Sequence, residues 1–252
     1  MQQDKQTLGI IFPKNDGVLC GIEIAQMVFK EIDEKIDFQI KMKDGKFFSP
    51  GMTIATVIGS AASCLKAERT ALNFLQHLSG IATITKRFVD VAKDKVKILD
   101  TRKTVPGLRI MEKYAVRTGG GVNHRFGLFD MVLIKDNHIE IAGTITNAVT
   151  QIRKRRKKKF IEVEVKTIDE LKEALSLKVN RVMLDNMNIN QIKQAVDIAH
   201  QLNKKVEIEV SGGITLDDVE ELADTGIDFI SIGALTHSSP AIDIAMKLKP
   251  LG

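Results

Sequence analysis

The sequence predicts an α/β protein: a barrel of about six parallel strands, preceded by a smaller mixed α/β domain. Three observations predict it. From about residue 96, strand-length apolar runs alternate with amphipathic helical stretches, the pattern of a parallel sheet with crossover helices. Neither G-x-G-x-x-G nor G-x-x-x-x-G-K-[ST] occurs, although an open nucleotide-binding sheet carries such a fingerprint after an early strand, so a barrel is favoured. Polar, charged or glycine residues end every run, at the positions where barrel enzymes place their chemistry.

The N-terminal region, to about residue 79, mixes strand candidates "KIDFQIKM" and "TIATVIG" with helices "GIEIAQMVFKEID" and "CLKAERTALNFLQHLSGIATIT", the last running on toward Phe88. "KDGKFFSPG" reads as a hairpin turn punctuated by Gly45 and Pro50-Gly51. The strands of the second region are "VKILD" (96–100), "MVLIK" (131–135), "FIEVEV" (160–165), "RVMLD" (181–185), "VEIEV" (206–210) and "FISIG" (229–233). Between them lie "TITNAVTQIRKRRKKK", "TIDELKEALSL", "NINQIKQAVDIAHQLN" and "TLDDVEELADTG", whose apolar residues recur at helical spacing.

The strand ends supply the candidate site. Thr101, Arg102, Lys103 and Thr104 follow the first strand, and Lys135, Asp136, Asn137 and His138 the second. Glu164 and Lys166 end the third, Asp185 and Asn186 the fourth, Ser211-Gly212-Gly213 the fifth, and Gly233-Ala234 the sixth. Glycine turns leave backbone N–H groups open, so Ser211, Gly212, Gly213 and Gly233 suit a phosphate. Glu164 and Asp185 suit Mg²⁺ or sugar hydroxyls. Arg102, Lys103, His124, Arg125 and Lys135 call for a polyanion, and arginine's fork suits carboxylates. The ligand implied has a phosphosugar half and a carboxylate-rich half. Taken singly, each residue has a plainer reading: Glu164 or Asp185 as a helix cap, "SGG" as a tight turn, His124 as a core histidine.

Composition bounds the class. The 252 residues suffice for a core, 44% are apolar and 27% charged, and no apolar run is long enough to span a bilayer. The opening "MQQDKQTLGIIFPKNDG" lacks a secretory signal, and Cys20 and Cys64 have no metal or redox spacing, which fits a reducing compartment, so the chain is expected to be cytoplasmic. The net charge of +5 is local, since removing the seven cations of Arg153 to Lys159 leaves −2. That run reads as a solvated helix end complementing the helix dipole, with a nucleic-acid or membrane patch as the alternative. No Trp and a single Tyr argue against base stacking. Neither nucleic acid nor membrane is expected as a partner.

"ILDTRKTVPGLR", "EKYAVRTGGGVNHRFGLFDMVLIKDNH", "EVEV", "MLDNM", "EVSGGI" and "ISIGALTHS" resemble, in order and spacing, the motifs of the quinolinate phosphoribosyltransferases, from about Ala67 to the C-terminus. The resemblance implies an incomplete (open) α/β barrel, expected over residues 80–236. It also implies an N-terminal open-faced α/β sandwich domain over 1–79, and a C-terminal segment, 237–252, returning to it. Members of the family begin with a further helical stretch bearing an acidic ED-x-G-x-GD motif, and this sequence opens downstream of it, so the N-terminal domain is expected to be shortened. The implied assembly is a homodimer with shared active sites.

By position, the resemblance makes Arg102, His124, Arg125 and Lys135 the cradle for quinolinate, with Thr101 beside them, and Arg69 the arginine donated into the partner subunit's site. Lys103, Glu164 and Asp185 fall on the phosphoribosyl diphosphate side, the two acids toward ribose and Mg²⁺, whether directly or indirectly. Ser211 to Gly213 with Ile232, Gly233 and Ala234 form the 5′-phosphate loops, and His237 stands near the phosphates. Lys103, Lys135, Glu164 and Asp185 are the expected catalytic set. The implied reaction joins quinolinate and 5-phosphoribosyl 1-diphosphate to give nicotinate mononucleotide, diphosphate and CO₂ in NAD synthesis. Rival readings are a paralogous phosphoribosyltransferase of the molybdate-transport-associated type, an aldolase-like Schiff base at Lys135, and a nucleic-acid-binding module built on the basic run.

Overall fold

A computed structural model describes residues 5–156 and 159–251. The chain opens with β1 (Gln6–Pro13), β2 (Gly17–Val18), α1 (Ile22–Ile32), β3 (Asp37–Ile40), β4 (Phe47–Phe48), β5 (Ala55–Ser60) and the long α2 (Ala61–Ala92). There follow β6 (Lys97–Leu99), α3 (Arg109–Thr118), β7 (Val132–Ile134), α4 (Asp136–Ala142), α5 (Ile145–Arg155), β8 (Ile161–Val165) and α6 (Ile168–Ser176). Then come β9 (Arg181–Asp185), α7 (Ile189–Leu202), β10 (Glu207–Ser211), α8 (Leu216–Ala223), β11 (Phe229–Ser231), α9 (Ala234–His237) and β12 (Ile244–Pro250). Two compact units result. One comprises the residues up to Lys86, Thr104–Gly121 and those from Ala234 onward; the other comprises Arg87–Lys103 and Val122–Gly233. The expected boundary at residue 79 falls inside the continuous helix α2.

In the first unit β1 lies inside a four-stranded sheet of order β12-β1-β5-β3, all antiparallel. Neither β1 nor β12 was among the strands expected. Their pairing joins residues more than 230 positions apart, from Thr7↔Pro250 to Pro13↔Ile244, which no local pattern announces. The stretch read as a hairpin turn, 43–51, does link the antiparallel neighbours β3 and β5, but Phe47 and Phe48 within it form β4 against β2. Helix α1 turns Ile22, Ala25 and Phe29 inward, and Phe29 meets Phe38 with ring centroids 5.4 Å apart. These residues join Ile11, Leu19, Phe48, Val57, Leu72, Leu75 and Ile244 in one buried core.

In the second unit six strands form a wholly parallel sheet of order β6-β11-β10-β9-β8-β7. Consecutive strands are neighbours and the last pairs with the first, the cyclic order of a barrel. The seam lies between β6 and β7, so the barrel is open. The helices start where short polar residues satisfy the orphan N–H groups: Thr144 accepts from Asn147, Thr167 from Glu170, and Asn188 exchanges bonds with Gln191. α6 buries Leu171, Ala174 and Leu175, and α7 buries Ile192, Ala195, Val196 and Ala199.

Residues in register on neighbouring strands share a face. One face carries Val163, Val182, Leu184, Ile208, Val210 and Ile230, apolar and suited to the covering helices. The opposite face carries Glu162, Glu164, Arg181, Asp185, Glu207, Glu209, Ser211 and Ser231, with Met183 and Phe229 among them. The runs read as apolar strands therefore hold a polar inner face, and that face leads to the site.

Candidate active site

The site is built at the C-terminal ends of these strands. After β6, the Thr101 hydroxyl accepts the backbone N–H of Lys103 at 3.0 Å, turning the chain so that Arg102 and Lys103 are exposed side by side. Asp100, fully buried, accepts the backbone N–H of His124 at 2.8 Å and the side-chain amide of Asn123. Val122 bridges to β6 through its N–H to Ile98 O at 2.8 Å. Thus β6 carries the 122–125 segment as a strap along its free edge. Arg125 ends that strap half-buried. Burial, and after it the charge of Arg102, lowers the Arg125 pKa, while Glu162 and Asp130 oppose the shift.

Lys135 follows β7, and its ammonium contacts the Glu164 carboxylate, which is 6% exposed. The rest of "KDNH" serves helix α4: His138 Nδ1 accepts the Lys135 N–H at 2.9 Å, and Asp136 pairs with Lys166 at 2.8 Å on the surface. Of these strand-end residues, His138 caps the helix, Asp136 forms a surface ion pair, and Asn137 donates its backbone N–H to Asp136. Asp185, ending β9, accepts from the Asn186 amide at 2.9 Å and is in register with Ser211 of β10. Gly212 has φ +110, and a Cβ there would meet Asn186 Oδ1 at 2.3 Å, so only glycine fits. Asn186 itself has φ +54, and its N–H donates to Ser211 O at 3.0 Å. Gly213, at φ +60, faces open space. Ile232 donates to Leu99 O at 2.9 Å and carries β11 to Gly233. Arg69, exposed on α2, and Ala234 and His237 on α9 belong to the other unit, where His237 Nδ1 lies 2.6 Å from Ser238 Oγ.

Beneath the mouth lies a group the sequence did not announce. His124 Nε2 stands 3.2 Å from Glu162 Oε2 and 3.4 Å from Glu209 Oε2, all three buried. Arg181 Nη1 lies 3.0 Å from the same Glu209 oxygen, its Nε and Nη2 bind Glu207 at 2.9 and 2.7 Å, and its guanidinium stacks 4.0 Å from the Phe229 ring. Burial works against charge on His124, but the two carboxylates outweigh it, raising its pKa from 6.5 to about 9. Burial, and then Glu209, also raises the Glu162 pKa; Glu209 falls below its ordinary range despite burial, held by His124 and Arg181. His124 and Glu162 together thus retain one extra proton. The Arg125 N–H donates to His124 Nδ1 at 2.7 Å and needs a lone pair there, which the imidazolium lacks. That bond decides the matter: the imidazole keeps its proton on Nε2, and the additional proton belongs to Glu162. Asp100, Arg181 and Glu209 were missed because their roles depend on partners across the sheet. The visible signal was the alternation of acids in "IEVEV" and "EIEV", which puts Glu162, Glu164, Glu207 and Glu209 on one face.

An open parallel barrel with paired guanidiniums, a Lys–Glu pair and a glycine loop at its strand ends defines an enzyme for a multiply anionic, phosphate-bearing substrate. The models of the quinolinate phosphoribosyl transferase N-terminal and C-terminal domains match residues 1–79 and 81–247. The chain belongs to the quinolinate phosphoribosyltransferase family. It is 44% identical to the chloroplastic nicotinate-nucleotide pyrophosphorylase [carboxylating] of Oryza sativa subsp. japonica, over 93% of this chain and 67% of that protein. It is 42% identical to the probable nicotinate-nucleotide pyrophosphorylase [carboxylating] of Synechocystis sp., over 93% and 80%. The crystal structure of NadC from Streptococcus pyogenes superposes with a TM-score of 0.94 at 42% identity, covering 100% of this chain and 89% of that one. Among the described residues no helix is long and apolar enough to cross a membrane.

Proposed function

We infer that the chain transfers the phosphoribosyl group of 5-phosphoribosyl 1-diphosphate to quinolinate with decarboxylation, giving nicotinate mononucleotide, diphosphate and CO₂. The observation that carries this reading is the Arg102–Arg125 pair, two like charges close enough to disturb one another at a strand-end mouth. Such a pair is stabilised by an anion between its members, and a pyridine dicarboxylate supplies two. Thr101 and Lys135 border the same acceptor pocket, with His124 beneath it. Gly212 and Gly213 offer backbone N–H groups to the 5′-phosphate together with Ser211, Ile232 and Gly233. The names of the relatives support this reading and not the molybdate-transport-associated alternative. The Lys135 ammonium is engaged by Glu164, which suits anion binding rather than the Schiff-base reading.

In the reaction the quinolinate ring nitrogen bonds to ribose C1 as the C1–diphosphate bond breaks. The ribosylated nitrogen is cationic and accepts the electron pair released when the C2–carboxylate bond breaks; CO₂ leaves and a proton replaces it at C2. Glu164, buried, and Asp185 face positive charge developing at C1 and hold the ribose hydroxyls. Lys103 and Lys135 hold the anionic groups of the two substrates in line. Glu164 and Asp185, oxygen donors on the shared face of adjacent strands, also fit Mg²⁺, directly or through water. When bound, the ion would neutralise charge on the leaving diphosphate. The buried cysteines fit a cytoplasmic enzyme. A homodimer in which Arg69 enters the partner subunit's site, with Ala234 and His237 toward the phosphates, completes the proposal.

The test is incubation of the chain with quinolinate, phosphoribosyl diphosphate and Mg²⁺, following nicotinate mononucleotide by chromatography. Product that requires all three components is expected. Diphosphate release with another acceptor and none with quinolinate would overturn the reading.

A further inference from the structure

The two arginines of the mouth repel each other, so something must hold Arg125 toward Arg102 before a substrate arrives. The structure shows the restraint. Asp100 fixes the backbone at His124, and the His124 ring folds back so that Nδ1 accepts the Arg125 N–H at 2.7 Å. The other ring nitrogen lies 3.2 and 3.4 Å from carboxylates of β8 and β10, in charge contact rather than in an aligned hydrogen bond. Glu209, the β10 carboxylate, is in turn held by Arg181 of β9 at 3.0 Å, and Arg181 stacks on Phe229 of β11. Two strands therefore reach the imidazole, β9 and β11 brace one of their carboxylates, and the imidazole grips the backbone of Arg125.

We propose that Glu209, anchored by Arg181, is a positioning residue for the acceptor site: acting through His124, it fixes the backbone at Arg125 and hence the direction of the Arg125 guanidinium. The inference rests on the proposed function insofar as Arg125 meets an acceptor carboxylate. It concerns groups below the mouth: Glu209 is fully buried, and Arg181 lies beside it on the inner face. The same atoms of His124, Glu162 and Glu209 lie within 4.8 Å of one another, close enough to share a metal ion. Arg181, however, already occupies the Glu209 oxygen facing His124 and brings its own positive charge to the place a cation would take.

Glu209→Gln keeps the shape and removes the charge that holds both Arg181 and Nε2. With Arg125 loosened, KM for quinolinate should rise about tenfold, short of the ~100-fold that a full 1 Å misplacement costs. KM for phosphoribosyl diphosphate should not move. Equal rises in both KM values, or a fall in kcat alone, would reduce Glu209 to a structural role and overturn the proposal. Nitrogen-15 NMR of histidine-labelled wild-type protein, with His124 assigned from a His124→Asn variant, supplies a second readout that needs neither substrate nor a folded Glu209 variant. At neutral pH, His124 should show a protonated Nε2 and an unprotonated Nδ1. An imidazolium, or a protonated Nδ1, would mean that no bond reaches Arg125, and the proposal would fall. A His124 signal that changes on addition of EDTA would give the group to a metal and equally overturn it. If the wild type makes no nicotinate mononucleotide, the proposed function fails, while the tautomer still decides the restraint.

Discussion

Replacing Arg125 by alanine tests the acceptor side directly. The guanidinium is half-buried, and the charge of Arg102 disfavours its charged form after burial itself. A carboxylate bound between the two would gain a charge-assisted hydrogen bond from each. Losing one such bond costs about 1.5–3 kcal/mol, or roughly 10- to 100-fold in kcat/KM. Two features of the structure move the estimate to the lower part of that range. Arg102 remains and is relieved of its repulsion, and no buried partner is stranded, because Glu162 keeps His124 and Glu209 keeps Arg181. We therefore expect kcat/KM for quinolinate to fall about 10- to 30-fold, mainly through KM. The assay is steady-state turnover with quinolinate varied at saturating phosphoribosyl diphosphate. Arg125→Lys should recover only part of the loss, since an ammonium lacks the two-pronged fork. Unchanged kinetics, or a matching rise in KM for phosphoribosyl diphosphate, would remove Arg125 from the acceptor pocket.

Gly212→Ala places a Cβ 2.3 Å from Asn186 Oδ1 in a backbone with φ +110, at a strain of about 1–2 kcal/mol, so KM for phosphoribosyl diphosphate should rise and KM for quinolinate hold. Equal response of both would refute the assignment of this loop to phosphate. Phe29→Ala empties a fully buried site against Phe38 and should cost about 3–5 kcal/mol in denaturant unfolding; a loss below about 1 kcal/mol would contradict the core described. The proton kept by His124 and Glu162 links folding to pH. Burial, and then Glu209, raise the folded Glu162 pKa above its unfolded value of 4.5, so this contribution is full below pH 4.5 and is lost as pH rises through the folded value. The thermal midpoint should therefore decline over that window, and less so in Glu209→Gln; identical profiles would refute the linkage.

The six barrel strands were legible because each is a short apolar or β-branched run bounded by helices whose periodicity is equally plain. β9 matches its expected span residue for residue, and the others shift by one or two positions. β1 and β12 were not. "QTLGIIFP" contains a glycine and ends in proline, and "IAMKLKP" alternates lysines along the exposed edge of its sheet, so neither declares itself without its partner. The hairpin reading of 43–51 concealed β4 for the same reason, since the two residues of that strand are ordered by Gly17 and Val18.

The same division runs through the site. Arg102, Lys103, Lys135, Glu164, Asp185 and the Ser211–Gly213 turn were expected at strand ends and lie there, because strand ends are local features, whereas Arg125 lies on the strap beside β6. Asp136, Asn137 and His138 looked equivalent but lie in the first turn of α4, where His138 caps Lys135 and Asp136 pairs with Lys166. Glu162, Glu209, Arg181 and Asp100 are ordinary charged residues until the sheet closes over them. Local chemistry thus determined which groups could meet an anion. Only the tertiary structure decided which charges face one another in the interior, because burial and the register of strands distant in sequence set whether a carboxylate is solvated, paired or made to hold a histidine in place.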